Sequence, residues 1–368
     1  MLSLRKILKN ESLLVIAALL AAGSFFLAAP GIDYAQQINF PVIILLFCLM
    51  AVVAGLNEAE VFPRLFAKLT QRPTSIRRLS LMLVLSCFFA AMVLTNDVAL
   101  ITLVPLTMLL LRGVAQQRVI FIIVMETIAA NLGSMLTPVG SPQNIFLYAY
   151  YDFSLVQFLT TVAPVAIFSL LLISVVVMLP KDYPLPIAPP AQRGSFSKFS
   201  TAVYLLLFII AILAVVGLVH YLVCLLLVVL VLLLNGRSLF RQIDYSLLLT
   251  FLFFFIFSAN IGSIAAVHDY LVETLSGQEF AVSVLLSQVI SNVPTAVLLA
   301  PFTADGPALL LGTNIGGLGT PIASLASLIS YRLYTTMERT EKIPYLKTFL
   351  MLNLFFLVVL VIFAYMLN

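Results

Sequence analysis

From Leu13 to its last residues the chain is a succession of apolar runs, each closed by only a few polar residues, and that pattern leaves few folds open. The runs fall at about 12–30, 40–56, 79–94, 98–111, 118–151, 155–180, 200–217, 221–235, 246–263, 281–291, 294–304, 307–331 and 345–367. A helix crossing a bilayer core of about 30 Å needs about 20 apolar residues, so most of these runs read as transmembrane helices. Composition agrees: 62% of the 368 residues are hydrophobic and 9% charged, where a soluble domain is about a quarter charged. No stretch is long and polar enough to form a separate soluble domain. The reading is an all-α integral membrane protein with about nine full spans and two re-entrant hairpins.

Arg5, Lys6 and Lys9 precede the first apolar run. Because further spans follow at once, this predicts an uncleaved first helix with a cytoplasmic N-terminus instead of a removed signal peptide. Cys48, Cys87 and Cys224 sit singly inside apolar runs, without metal-ligand or CxxC spacing, and read as small apolar fillers.

Two pairs of runs are too short to cross separately. Segments 79–94 and 98–111 make roughly 24 and 21 Å of helix. Arg72, Arg77 and Arg78 flank one end, Arg112 and Arg118 the other, and the polar Thr95-Asn96-Asp97 lies between. This predicts a hairpin (79–111) that enters and leaves from the cytoplasm. The run 281–304 lies between Glu279 and Asp305, holds no Lys or Arg, and has Ser291-Asn292 at its middle, which predicts a hairpin dipping in from outside. All 19 Lys and Arg then lie on the cytoplasmic side, and the loops holding Asp33, Asp152, His220 and His268 to Glu279 lie outside. The C-terminus falls outside, in a multi-pass protein of the cell inner membrane.

Comparing the halves exposes a repeat. Asn96 is followed nine residues later by Pro105, and Asn292 nine residues later by Pro301. Asn131, Gly133, Thr137, Pro138 and Ser141 recur at identical spacing as Asn314, Gly316, Thr320, Pro321 and Ser324. This spacing is a duplication signal, and the opposite charge flanks of the hairpins make the repeats inverted. The domain plan is a first repeat over 1–180 with broken helix 118–151, a cytoplasmic linker over 181–199 (Pro-rich at 184–190), and a connecting helix with the second repeat over 200–368, whose broken helix is 307–331. Asn-x-Gly before Thr-Pro does not sit in an unbroken helix, and backbone freed at membrane depth needs protein, water or an ion. Paired Gly/Pro-interrupted segments in two halves point to a transporter binding site.

These motifs carry a family resemblance. Thr95-Asn96-Asp97, the run Asn131 to Asn144, and Ser291-Asn292-Val293-Pro294-Thr295 resemble the ion-transporter superfamily of divalent-anion/sodium symporters, citrate carriers, arsenite-efflux permeases and NhaD-type antiporters. The nearest likeness is to its short bacterial YbiR-like anion permeases. The resemblance implies a scaffold domain, a transport domain that moves as an elevator, and a homodimer. In the dicarboxylate branch the tips read Ser-Asn-Thr and help hold sodium and substrate carboxylate. Here Asp97 stands in the first tip, as in the arsenite and NhaD-like branch, and the second reads Ser-Asn-Val.

The candidate binding residues are the tips Thr95, Asn96, Asp97, Ser291, Asn292 and Thr295. With them go the repeated Asn131, Gly133, Thr137, Ser141, Asn314, Gly316, Thr320 and Ser324, and Asn144. Asp97 and Glu126 are the only acids placed deep in the membrane, where an ionised group costs about 2.5–3.5 kcal/mol. Asp97 reads as proton acceptor or cation ligand, with Na⁺ candidates at Asn96, Asp97 and Asn131 and carbonyls near Asn131 and Gly133; its bland alternative is a helix N-cap. Glu126 relays protons or bonds a neighbouring hydroxyl. Ser141-Pro142-Gln143-Asn144 and Asn292 with Pro294 look like helix starts whose N–H groups suit an anion. Segment 57–78 reads as an interfacial amphipathic helix against membrane lipid.

The expected function is secondary active transport of a small anion, coupled to H⁺ or Na⁺. The alternatives are efflux of a neutral oxyacid of the arsenite type and Na⁺/H⁺ antiport, with a channel or membrane enzyme behind them. His220 and His268 fall in outside loops, and neither deep acid has a catalytic motif around it. No Walker motif, cofactor site, resident metal site or nucleic-acid signal is expected.

Overall fold

A computed structural model describes residues 12–27, 33–61, 64, 75–184, 198–336 and 340–367. Among them the secondary structure is helical, apart from one isolated bridge between Ser75 and Pro184. The first half comprises α1 (Ser12–Ser24), α2 (Tyr34–Gln37), α3 (Phe40–Glu58), α4 (Ile76–Leu94), α5 (Asn96–Leu110), α6 (Gln116–Ser134), α7 (Pro142–Tyr150) and α8 (Leu155–Met178). The second comprises α9 (Lys198–Val215), α10 (Tyr221–Asn235), α11 (Tyr245–Gly262), α12 (Ala265–Leu275), α13 (Glu279–Ile290), α14 (Asn292–Leu299), α15 (Gly306–Gly316), α16 (Leu325–Thr335) and α17 (Lys342–Leu367). Six of these, α3, α4, α6, α8, α11 and α17, are long and apolar enough to cross a membrane.

The helices sort into two groups by packing. α1, α3, α9, α10 and α11 pack on one another; α4 to α8 pack with α13 to α17. The groups meet where α3 lies on α7 and α11 lies on α14. Within the second group α4 crosses α6, and α13 crosses α15 in the same way. α6 is buried on nearly every face although it holds Glu126, Thr127, Asn131 and Ser134, so its polar groups meet protein and not lipid. Large apolar side chains such as Ile167, Leu171 and Val175 on α8 point outward, as a lipid-facing surface requires.

Two sequence expectations need correction. The first hairpin arm is not 79–94 but starts at Ile76 and runs 19 residues, long enough to cross by itself. Ser75 caps it by accepting from Arg78 N, so Arg77 and Arg78 belong to the first helical turn. Long basic side chains extend from a helix end toward water, which made the helix look shorter than it is. Segment 265–275, placed in a polar outside loop, is the helix α12, with His268, Asp269 and Glu273 interrupting its apolar residues. The proposed amphipathic helix at 57–78 and the Pro-rich stretch 184–190 lie largely outside the described residues. Cys48 and Cys224, far apart in sequence, adjoin where α3 crosses α10, both buried as free thiols.

The segment after α8 is stitched to the start of α4. Ile76 N donates to Tyr183 O at 3.0 Å, and Asp182 Oδ1 accepts the amides of Arg77 and Tyr183, both at 3.0 Å. The Arg77 amide holds the Asp182 carboxyl below its ordinary pKa. A carboxyl depressed on folding adds stability above its unfolded pKa and loses it as pH falls through the folded value. Asp182→Ala should therefore lower the thermal midpoint at pH 7, and the gap to wild type should close on acidification below about pH 4, as followed by a thermal-shift series.

Candidate functional site

The chain reverses at two non-glycine residues in almost the same strained conformation: Thr95 (φ 75, ψ 148) and Ser291 (φ 77, ψ 154). Such backbone costs about 1–3 kcal/mol and persists only where its surroundings impose it. The imposing bonds are the same in both halves. The next amide, Asn96 N or Asn292 N, donates to Gly140 O (3.1 Å) or Ala323 O (2.9 Å), the residue just before the motif serine. The motif threonine, Thr137 or Thr320, donates its hydroxyl to Met92 O or Gln288 O, four residues before the tip asparagine. Each tip is thus pinned twice to the helix break of its own half.

The glycines make the crossing possible. A Cβ on Gly133 would fall 2.1 Å from Phe88 O, and one on Gly316 would fall 2.9 Å from the Ser287 side chain. The expectation of free carbonyls near Asn131 and Gly133 is corrected: both residues lie inside α6, where Asn131 O accepts Ser134 Oγ and Gly133 O accepts Leu136 N. The helix is lost only beyond them, at 135–141 and 317–324. Gln288, unremarked in the sequence, braces the second break by donating to Gly316 O and accepting from Thr320 N. The first half has Met92 at that position, and Asn144 does the bracing through Ser134 O and Thr137 O. Gln288 is the only amide side chain in α13, which was the available signal.

The two breaks meet each other. Asn131 Oδ1 accepts from Asn96 Nδ2 at 3.2 Å and from Ser324 Oγ of the other half at 2.9 Å. Asn314 Nδ2 donates to Asn144 Oδ1 at 2.7 Å. All these side chains are buried, as are Ser141 and Asn292. Asn131 Nδ2, Asn314 Oδ1 and Ser141 Oγ have no partner, and buried polar atoms left over in this way mark places where a ligand or water belongs. Ser141 and Ser291 stand at the N-caps of α7 and α14 without capping bonds from their side chains, so both helix starts keep N–H donors. Thr295 donates to Ser291 O within its own helix start, and Ser291 Oγ donates to Ala323 O at 3.3 Å, a further tie between the second tip and its break.

The acids lie apart from this junction. Asp97 does not cap α5: its carboxylate Oδ1 is buried without a partner, and its own N–H donates to Asn96 Oδ1. Together with Thr95 and Pro142 it lines a cavity of about 200 Å³, closed on the α3 and α11 side by Asn57, Gln242 and Asp244. Neighbours on α5 point in different directions, so Asn96 joins Asn131 while Asp97 faces the seam between the two helix groups. Glu126 is fully buried and accepts from Thr107 Oγ1; neither cavity includes it. A second cavity, of about 710 Å³, lies against α2, α3 and α11, lined by Asn39, Ser258 and His268 and by Phe146, Tyr150 and Val297 of α7 and α14. Pro142 and Ile145 of α7 face the smaller cavity, Phe146 and Tyr150 the larger, so the α7 wall separates them.

The sequence profile of the citrate transporter family, CitMHS, matches residues 7–309. An uncharacterised transporter of Methanocaldococcus jannaschii is 30% identical over 80% of this chain and 81% of its own length. The inner membrane protein YbiR of Escherichia coli is 31% identical over 84% of each chain. A silicon efflux transporter of rice, Oryza sativa subsp. japonica, is 29% identical over 36% of this chain and 27% of its own.

Proposed function

Because the chain belongs to the citrate transporter family, it is a multi-pass membrane transporter and not an enzyme, and we propose that it is a secondary active carrier of a small anion, coupled to H⁺ or Na⁺. The observation that carries this reading is the buried junction of Asn131, Ser324, Asn144 and Asn314, where both helix breaks and the first hairpin tip meet. It offers amide and hydroxyl donors and two helix N-termini, a donor set suited to an oxyanion without a fixed cation. The matched bonds at Thr95 and Ser291 support two repeats, and the charge flanks support their inversion, with the N-terminus cytoplasmic and the C-terminus outside.

Alternating access in this reading is of the elevator type. The group holding the junction slides against α3 and α11, and the cavities on the two faces of α7 are the entry and exit vestibules. Asp97, at the seam and unpartnered, is the coupling group; Glu126 is a second proton site held by Thr107. A second reading, efflux of a neutral oxyacid, is favoured by the lack of Lys, Arg or His among the junction side chains and by the silicon efflux relative.

Charge-transient recordings on proteoliposomes, with citrate, sulfate, phosphate, arsenite and silicic acid under imposed H⁺ or Na⁺ gradients, test both readings. A saturating current with an anion supports the first; saturating flux of arsenite or silicic acid without current supports the second. Asp97→Asn preserves shape and removes the charge, so the gradient-driven component should fall about tenfold or more while binding persists. Unchanged gradient dependence in that variant would sink the coupling role.

A further inference from the structure

The end of the bundle where α4 and α6 begin holds two arginines with unmet hydrogen-bonding capacity. Arg118, in the first turn of α6, is only 8% exposed, and its Nε and Nη2 have no partner. Its guanidinium lies over the Phe121 ring at 5.5 Å, a contact that engages the face and leaves the N–H edge unused. Arg77, in the first turn of α4, gives Nη2 to Pro180 O at 3.2 Å and keeps a buried, unpartnered Nε. The two guanidinia are in electrostatic reach of each other, together with Tyr183 and Asp182.

Asp182 is the obvious counter-ion, and it is already engaged. Its Oδ1 takes the backbone amides of Arg77 and Tyr183, and it forms no ion pair with either guanidinium. Asp182 acts on the two guanidinia only at a distance, so the buried N–H edges of Arg118 and Arg77 stay without an acceptor, and buried donors left unmet are unfavourable. The adjacent start of α6 adds to the demand: its N-cap residue is Ala115, which has no side-chain acceptor, so the first amides of α6 and the helix dipole also favour negative charge. Two planar forks and an uncapped helix start match a tetrahedral oxyanion, which accepts several N–H donors at once.

We propose that Arg77, Arg118 and the N-terminus of α6 form a binding site for a phosphate group at the base of the first hairpin, separate from the transport junction. Its occupant is a phosphate group, either the phosphodiester of an anionic phospholipid headgroup or free inorganic phosphate. Bound there, it clamps α4, α6 and the segment Pro180–Tyr183, the three pieces that anchor the hairpin bearing Asn96.

The test uses the full-length protein in detergent, delipidated by extensive washing. Thermal midpoints are read after adding phosphatidylglycerol, zwitterionic phosphatidylcholine or inorganic phosphate. Phosphatidylglycerol should raise the midpoint of wild type by about 2–4 °C, with no such rise from phosphatidylcholine. The same rise from inorganic phosphate alone assigns the site to a free anion. In Arg118→Gln the rise should vanish; in Arg118→Lys, which keeps charge but loses the fork, it should shrink. Arg77→Gln is the second variant should Arg118→Gln fail to fold. Native mass spectrometry should show one retained phosphatidylglycerol on wild type and none on the variants if the occupant is lipid. A wild type unmoved by both phosphatidylglycerol and phosphate, or variants that respond as wild type does, overturns the proposal.

Discussion

Gly133→Ala should cut transport by more than about tenfold. The added Cβ would stand 2.1 Å from Phe88 O, a backbone atom of α4 that has no rotamer by which to withdraw. Overpacking of this kind costs about 1–3 kcal/mol or more, and the only relief is to push α4 away from α6. That displacement moves Met92 O away from Thr137 and strains the bond from Asn96 N to Gly140 O, the two attachments holding the first tip. Substrate flux in proteoliposomes should fall more than about tenfold, with a thermal midpoint lower by about 2–4 °C for each kcal/mol. Gly316→Ala should be milder, because the atoms it meets first belong to the Ser287 side chain. Gly23→Ala, with nothing within 4 Å, is the control that should behave as wild type. A Gly133→Ala protein transporting at the Gly23→Ala rate would show that this helix crossing does not position the site.

Asn131→Leu is the second large expected effect, by a different cause. Asn131 Oδ1 is the common acceptor for Asn96 Nδ2 and Ser324 Oγ, so a leucine of similar size orphans two buried donors at about 1–3 kcal/mol each. Asn131→Asp keeps an acceptor oxygen for both and should recover most of the stability. It also introduces a negative charge into a junction whose proposed ligand is an anion, so flux should stay low while the thermal midpoint returns. Midpoint and initial flux measured on the same preparations separate the two contributions. Equal flux in wild type and Asn131→Leu would remove Asn131 from the site.

The helical membrane class, the tip residues Thr95 and Ser291, and the paired breaks were legible because each rests on local chemistry. Apolar run length, a Pro after a Gly, and a polar triplet in an apolar hairpin all act within a few residues. What stayed hidden depends on which atoms meet across the fold. Asn131 and Gly133 looked like the unwound point, yet the chain keeps its helical bonds past Gly133, and the glycine serves the crossing with α4 instead. Asn96 and Asp97 are neighbours in sequence and read as one ion site; the helical turn between them sends them to different places. The roles of Gln288 and Asn144 as braces of corresponding breaks come from non-equivalent positions, which repeat spacing does not reveal. Helix α12 is hidden because His268, Asp269 and Glu273 read as loop residues, while an amphipathic helix carries charge too.

The scarcity of ionisable side chains around the amide junction has an electrical consequence. Moving one elementary charge through the membrane potential is worth about 2.3 kcal/mol per 100 mV. With Asn131, Asn144, Asn314, Ser141 and Ser324 all neutral, a group of helices moving as proposed would carry the charge of its cargo, plus that of Asp97 and Glu126 when they are ionised. A monovalent anion crossing beside an ionised Asp97 moves two negative charges; beside a protonated one it moves a single charge, and a neutral oxyacid beside a protonated carboxyl moves none. The voltage dependence of flux at fixed gradients therefore counts protons and cargo charge together, and Asp97→Asn removes one negative charge from that count if Asp97 crosses ionised and none if it crosses protonated.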